Sequence, residues 1–427
     1  MNPTATSTKP VRLAVIGQGY VGLPVAMRAV DAGYDVVGFD VDKRKVDDLK
    51  DGISYIEDVT STQLVEAYDT GHYLATAAVA DLHGFDIAVI TVPTPLRDGA
   101  PDMSYIESAA QIVGQHLRTG STVILESTTY PGTTEGFVQP ILEYTSGLTA
   151  GRDFKLGFSP ERIDPGNKTW NFKSTPKVVS GIDDASLSAV REFYDTLVDE
   201  TVPTKGTREA ELAKLLENTF RHVNIALVNE IAINARAMGI DFWDVVDAAK
   251  TKPFGFMPFL PGPGVGGHCL PIDPSYLSWQ FERELGTVSQ FVKIANQINE
   301  GMPSEVVRRV QAGLNHRMKP VNGSNILVLG VAYKKNSSDV RESPATKVIE
   351  TFRSLGAQVK IHDRHVTELP VGEGVISTDL TDDELEAADA VVIITDHDNI
   401  DYADVATRTD YVFDARRCVS GPNVEHL

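Results

Sequence analysis

The chain is poor in cysteine, with two among 427 residues. That excludes a disulfide scaffold and suits a reducing compartment. It has no run of about 18 apolar residues, so no membrane-spanning helix is expected. Its first ten residues are polar and lack the apolar core of a signal peptide. Positive charge is scarce too: 39 Lys and Arg stand against 59 Asp and Glu, a net charge of -20. That sign argues against nucleic acid or an anionic membrane as the main partner. A local pocket of Lys, Arg and helix N-termini still admits a small phosphate-bearing ligand. The expectation is a cytoplasmic protein with a disordered tail over residues 1–10.

What is present is ordinary globular composition, 42% hydrophobic and 23% charged. The length exceeds what one core usually supports, which predicts two or three domains. Residues 261–273 read P-G-P-G-V-G-G-H-C-L-P-I-D, a loop rich in glycine and proline that holds Cys269. A cysteine there is either a small buried hydrophobe or a nucleophile. His268 beside it suggests a dyad or zinc pair, but adjacent side chains point apart and two ligands do not make a zinc site, so no metal is expected.

The first third carries an apolar run at residues 11–16, then Gly17-Gln18-Gly19-Tyr20-Val21-Gly22, then a helical pattern. In that strand, turn and helix context, Gly17 allows the tight turn, Gly19 lets the backbone approach a pyrophosphate and Gly22 lets the helix pack on the strand. A second strand ends at Asp40, whose carboxylate can accept ribose hydroxyls and would repel a 2'-phosphate, favouring NAD over NADP. Residues 86–92 and 122–126 read as buried parallel strands. Their following loops bring Thr91, Thr94 and Thr128 to the cofactor side, unless these are simple turn formers. Phe158-Ser159-Pro160-Glu161-Arg162 is a further strand-end turn.

Residues 207–239 predict one long helix, with Thr207 as N-cap and Gly239 as stop. Lys214, Asn218 and Arg221 fall at i, i+4 and i+7 on one face, which either is solvated or meets an anionic ligand. Shorter helices are expected at 242–250, 278–285 and 290–301, around an aromatic loop that includes Phe259. The last third repeats the αβ pattern, with strands at 325–331, 359–363, 390–395 and 411–414. The loop after its first strand is Ala332-Tyr333-Lys334-Lys335, without the glycine fingerprint.

Taken together, G-x-G-x-x-G, Glu161 in S-P-E-R, Lys214 and Asn218 in A-K-L-L-E-N, G-G-H-C-L-P-I-D-P and Y-K-K-N-S-S-D-V-R-E-S resemble the nucleotide-sugar 6-dehydrogenase family from Val11 to about Asp414. The resemblance implies an α/β fold: an NAD-binding Rossmann domain at 11–204, a central helical and dimerisation region at 205–305 with the cysteine loop, and a UDP-sugar-binding Rossmann-like domain at 320–427. It implies NAD-dependent oxidation of a sugar C6 alcohol to a carboxylate in two steps, on a UDP-sugar, by a homodimer or larger oligomer. Cys269 would be the nucleophile, passing through a thiohemiacetal and a thioester. Lys214 and Asn218 would stabilise the oxyanion, and Asp273 with Glu161 would position or activate water. Thr128 joins this set and also the cofactor contacts, with Tyr20, Val21, Lys45, Thr94 and Arg341. Arg162, Arg221, Phe259, Gly266 and Lys334 would contact the substrate.

The UDP-glucose branch typically reads N-P-E-F-L with a second glutamate four positions after the first, where this chain has Pro165 beside Asp164. It also has a lysine before the aspartate of the cysteine motif, where this chain has Ile272. The pattern therefore resembles the N-acetylhexosamine branch, and UDP-N-acetylglucosamine is the expected substrate, with UDP-N-acetylmannosamine and UDP-glucose as alternatives. A non-catalytic nucleotide-binding regulator and a single-step dehydrogenase are the competing classes. His222 either contacts the sugar or is a satisfied structural histidine, and Cys418, outside any motif, is expected to be inert.

Overall fold

The computed structural model describes residues 10–56, 58–163, 167, 169–267, 270–366 and 375–427. The expected tail apart from Pro10, and Asp164, Pro165, His268 and Cys269, lie outside the described residues. The chain divides into two compact units, 1–216 and 217–427.

Unit 1 is built on eight strands: β1 (Arg12–Ile16), β2 (Asp35–Phe39), β3 (Tyr73–Thr76), β4 (Ile87–Ile90), β5 (Thr122–Leu125), β6 (Lys155–Phe158), β7 (Lys177–Gly181) and β8 (Thr201–Pro203). Their order is β8-β7-β6-β5-β4-β1-β2-β3. The first six give the doubly wound order 3-2-1-4-5-6, which opens a crevice at the carboxyl ends of β1 and β4. Alternation along the strands divides the core. Leu13 and Val15 pack on one face of the sheet with Val36, Val89 and Ile124. Ala14 and Ile16 pack on the other with Phe39, Ile90 and Leu125. That is why these strands read as continuous apolar runs. One pairing breaks the parallel pattern: β6 and β7 are antiparallel, with Phe158 opposite Ser180. Helix α1 (Gly22–Asp31) follows the glycine turn, and α2 (Asp184–Tyr194) packs near β7.

Helix α3 (Thr207–Ala237) begins in unit 1 and continues into unit 2. Its 31 residues span roughly 46 Å at about 1.5 Å each. Thr207 opens the helix, and its hydroxyl donates to Glu135 at 2.6 Å instead of capping from outside. Gly239 at φ 73 supplies the left-handed stop. In unit 2, α4 (Asp273–Leu285) starts five residues before the expected 278, because the Asp-Pro pair opens a helix with proline in its first turn. Helix α5 (Gln290–His316) runs through Pro303, where a boundary was expected. Pro303 denies the Asn299 carbonyl its helical donor, and that carbonyl faces Gly264, where a Cβ would come within 3.3 Å.

The second sheet holds β9 (Asn325–Leu329), β10 (Gln358–His362), β11 (Ile376–Ser377), β12 (Ala390–Ile393), β13 (Val412–Asp414) and β14 (Val424–His426), in the order β11-β10-β9-β12-β13-β14. This is again 3-2-1-4-5-6, so the repeat inferred from sequence is a repeat of topology. Strands β3, β7, β8, β11 and β14 were not anticipated; each is at most five residues long, and period-2 patterns that short carry little signal. Among the described residues no helix is long and apolar enough to cross a membrane.

Gly313 shows how tightly α5 sits on this sheet. A Cβ there would overlap the ring of Tyr411, which is buried, donates to Glu425 at 2.9 Å and lies 4.1 Å beneath the Arg317 guanidinium. Gly313→Ala gains about 1 kcal/mol of helix propensity against an overpacking penalty of about 1–3 kcal/mol. The expected outcome of thermal denaturation is a lower Tm; an unchanged or raised Tm would mean the Tyr411 ring is free to move.

Candidate active site

At the crevice of unit 1 the three glycines meet different surroundings. Gly17 has φ 98 and lies against the Thr91 carbonyl, where a Cβ would come within 2.9 Å. A Cβ at Gly22 would overlap the Gly17 carbonyl oxygen, so α1 touches the end of β1 only without a side chain there. Gly19 has no protein atom within 4 Å of its would-be Cβ, which leaves the turn open toward the crevice. Tyr20 and Val21 lead from it into the first turn of α1. Thr91 does not face outward; its hydroxyl donates to the Ile16 and Gly17 carbonyls at 2.9 Å and braces the turn. Asp40 accepts from the Gln18 amide at 2.9 Å through one oxygen and from the Asp42 amide at 2.9 Å through the other. Lys45 stands 3.9 Å from it. Each oxygen keeps a lone-pair direction for a ribose hydroxyl, and the open Gly19 backbone beside a helix N-terminus fits a dinucleotide pyrophosphate.

The loops after β4 and β5 carry Thr94, buried, and Thr128, half-buried. Residues 132–134, on the same loop as Thr128, are tied to α3 by a residue that sequence reasoning passed over. The buried Glu211 carboxylate accepts from the Gly132 amide at 2.5 Å, the Thr134 amide at 2.9 Å and the Thr134 hydroxyl at 2.7 Å. Burial pushes its carboxyl up to about 7 against the pull of those three donors. Lys214, one turn further along α3, is 8% exposed.

Glu161 does not project freely from its turn. One carboxylate oxygen accepts from the Arg162 and Ile163 amides at 2.6 and 2.7 Å, and the other receives the Lys177 ammonium at 3.1 Å. Lys177 also pairs with Glu126, and Tyr194 donates to Glu126 at 2.7 Å. Arg162 turns aside to the Pro176 carbonyl at 2.8 Å. Burial raises Glu161, but the Lys177 charge and the Ile163 amide more than offset it, so the carboxyl sits below its usual range. Burial outweighs the same lysine at Glu126, which sits above that range. Lys177 itself is held protonated, because the two carboxylates overcome its own desolvation.

In unit 2, Asn218 on α3 donates to Asp273, the first residue of α4, which is 2% exposed. Arg221, the third member of the expected stripe, is exposed. His222 faces inward and both ring nitrogens are engaged: Nε2 lies 2.7 Å from Asn296 Oδ1, and Nδ1 faces the Asn299 amide at 3.4 Å. It is a satisfied structural histidine, pushed down from its ordinary value by burial. Asn229 donates to Asn299 at 3.0 Å and accepts from the Gly262 amide at 2.9 Å. This buried relay fixes the start of the glycine loop. Further along, the Gly267 amide donates to the Arg341 carbonyl at 2.9 Å. A Cβ at Gly266 or Gly267 would come within 2.8 or 2.9 Å of the Tyr333 side chain. The glycines are therefore required by contact with the segment around 333–342, and Cys269 itself lies outside the described residues. Phe259 packs edge-on to Phe220 at 5.7 Å, within the helical cluster of Val228, Ala232 and Val246.

The second sheet repeats the turn chemistry of the first. Gly330 has φ 79, and Asp363, at the position matching Asp40, accepts from the Val331 and Ala332 amides at 2.8 and 3.0 Å. The other oxygen accepts from the His365 amide at 2.9 Å, as Asp40 does from the Asp42 amide; what differs is the His397 ring, whose Nε2 stands 3.0 Å from the oxygen that meets the two amides. Lys334 is half-buried in the following loop. Arg341 is held by Asp339 through a forked pair at 2.5–3.0 Å. Cys418 is half-buried, and burial followed by the Asp414 charge keeps it a thiol.

Known proteins share this arrangement. The UDP-glucose/GDP-mannose dehydrogenase family matches in three parts: its NAD binding domain at residues 11–198, its central domain at 208–301 and its UDP binding domain at 327–421. The chain belongs to that family. It is an NAD-dependent UDP-sugar dehydrogenase with a Rossmann NAD domain, as the motifs implied. A UDP-N-acetyl-D-mannosamine dehydrogenase of Pyrococcus horikoshii is 34% identical over 97% of each chain. A UDP-N-acetyl-D-glucosamine 6-dehydrogenase of Pseudomonas aeruginosa is 37% identical over 84% of each. The solved structure of the Pyrococcus horikoshii UDP-D-ManNAc dehydrogenase matches with a TM-score of 0.89 at 33% identity, covering 97% of this chain and 99% of that one.

Because nothing lies within 4 Å of a Cβ at Gly19, a substitution there can test cofactor binding apart from folding. Gly19→Val is expected to leave ligand-free stability within about 0.5 kcal/mol while weakening NAD at least tenfold, about 1.4 kcal/mol. Calorimetric titration with NAD alongside thermal denaturation checks this, and an unchanged NAD affinity would place the pyrophosphate elsewhere.

Proposed function

We propose that the enzyme oxidises the C6 alcohol of UDP-N-acetylglucosamine to the carboxylate in two steps, with Cys269 as the covalent nucleophile. The reading rests on the hydrogen bond from Asn218 to Asp273. It joins a helix carrying Lys214 one turn earlier to the residue four positions after Cys269. Gly17, Gly19, Gly22 and Asp40 would hold NAD, which would supply the hydride acceptor for each oxidation. The Cys269 thiolate adds to the aldehyde carbon to give a thiohemiacetal, and the second oxidation leaves a thioester. Lys214 and Asn218 donate to the developing oxyanion from a rigid helix. Asp273 and Glu161 position water and take its proton in thioester hydrolysis. By the family resemblance Thr128 and Arg341 would contact the cofactor, and Phe259, Gly266 and Lys334 the nucleotide sugar; Arg162, bonded to the Pro176 carbonyl, would have to turn to join them.

The choice of sugar follows Pro165 and Ile272, where UDP-glucose enzymes typically carry glutamate and lysine, and the 37% identity to the glucosamine enzyme. UDP-N-acetylmannosamine is the second reading, favoured by the match over 97% of both chains to the mannosamine enzyme. Incubation with NAD and each UDP-sugar should yield about two NADH per sugar, fastest with UDP-N-acetylglucosamine. Cys269→Ser should abolish uronate formation, whereas unchanged turnover would remove the cysteine from the mechanism.

We propose that a second copy of the chain packs along α3, where Leu212, Leu216, Phe220, Leu227 and Ile231 stand exposed at spacings of four, four, seven and four residues. Leu227→Glu with Ile231→Glu should convert a dimer to a monomer by light scattering. A wild-type monomer at micromolar concentration would refute the dimer.

A further inference from the structure

The antiparallel pairing of β6 with β7 has a chemical result. Ligand crevices lie at the carboxyl ends of parallel strands, and a strand running the other way delivers its first residue to that same edge. The first residue of β7 is Lys177, at the end of β6 from which the Glu161 turn departs. Its side chain is 4% exposed, between Glu126 at 0% and Glu161 at 13%, with the rings of Phe172 and Tyr194 at 5.4 and 5.2 Å. A lysine in such a place loses hydration that only its two carboxylates replace.

We propose that Lys177 is a positioning residue for hydrolysis of the covalent intermediate: with Glu126 behind it, it fixes the orientation and the ionised state of the Glu161 carboxylate. The proposal rests on the reading that Glu161 takes the proton of the attacking water. In that step the water oxygen bonds to the thioester carbon and its proton passes to Glu161. The carbon–sulfur bond breaks, and its electron pair returns to Cys269 as thiolate. The step needs a carboxylate, and two buried carboxylates without a cation would hold a proton between them. Among the described residues the charged or titratable groups facing Glu161 are Lys177 from β7, Glu126 from the end of β5, Tyr194 from α2 through Glu126, and Arg162 from its own turn, directed to Pro176. Glu126 thus gives the ammonium a second carboxylate to pair with beside Glu161.

The test uses the full-length enzyme, NAD and the UDP-N-acetylhexosamine it turns over. Lys177→Met should keep a rapid first burst of NADH and lose steady-state turnover by about 100-fold or more. A covalent acyl adduct should accumulate on Cys269, read by mass spectrometry. The acid limb of its pH profile should move to higher pH, because the uncompensated carboxylates ionise later. Lys177→Arg should restore most of the rate and the limb. Glu126→Gln keeps the ammonium beside Glu161 and should leave the limb in place or move it lower. If Lys177→Met does not fold, pairing it with Glu126→Leu replaces the buried ion pair by apolar groups and carries the same prediction. Burst and steady state falling in equal proportion with an unmoved acid limb would overturn the proposal and leave Lys177 a structural residue. Failure of the underlying reading looks different: with Glu161→Gln the adduct would hydrolyse at the wild-type rate, or no adduct would form on wild-type Cys269 at all.

Discussion

The polar side chains buried along α3 constrain more of this enzyme than any apolar contact does. A buried donor or acceptor left without a partner costs about 1–3 kcal/mol, so each such residue dictates the position of whatever satisfies it. Glu211 demands three donors from residues 132–134. Asn218 meets Asp273, and Asn229 reaches both Asn299 and the Gly262 amide. These bonds reach the loop that carries Thr128, the helix start at Asp273 and the root of the cysteine loop. Within each unit, every such bond fixes its segment against the part of the helix that belongs to that unit. Apolar packing alone would leave such loops free to slide, because it is not directional.

The glycine loop shows the complementary constraint. Residues 264, 266 and 267 lack side chains because the Asn299 carbonyl, Pro344, Tyr333 and the Glu342 carbonyl occupy that space. Hydrogen bonds fix its start, through Asn229 at Gly262, and its middle, through the Arg341 carbonyl at Gly267. The two sheets show one design used twice to different ends. Asp40 keeps capacity for a ribose, while Asp363, with comparable backbone amides, also receives the His397 ring.

Much of this was legible in the sequence because it is local. Strand, glycine turn, helix and distal acid lie within thirty residues, and period and spacing report them directly. The long helix and the Lys214–Asn218 face followed from a 3.6-residue repeat. Less was legible where the deciding partner is remote. Pro303 reads as a boundary unless one knows that the chain continues helical beyond it, and the start of α4 at Asp273 was masked by the loop reading of the preceding glycines. Glu211, Asn229 and Asn299 look like ordinary polar positions, since their partners sit 33 to 79 residues away. Lys177 carried no signal at all: a lysine before V-V-S-G reads as the solvent end of a strand, and only the reversed direction of β7 turns it inward.

That reversed strand bears on why the buried ion cluster exists. Desolvating two carboxylates and an ammonium costs several kcal/mol per ion, and apolar replacements of such clusters are often neutral or stabilising. Stability is therefore a poor reason for Glu126, Lys177 and Glu161 to share one buried site. Orientation is a better one. With Tyr194 and Glu126 behind the ammonium, and the Arg162 and Ile163 amides on the far oxygen, the Glu161 carboxylate has one rotamer and one charge. A lone surface glutamate would have neither. The same logic governs α3, where each buried polar residue trades stability that an apolar side chain would supply for a position that only a directional bond can define.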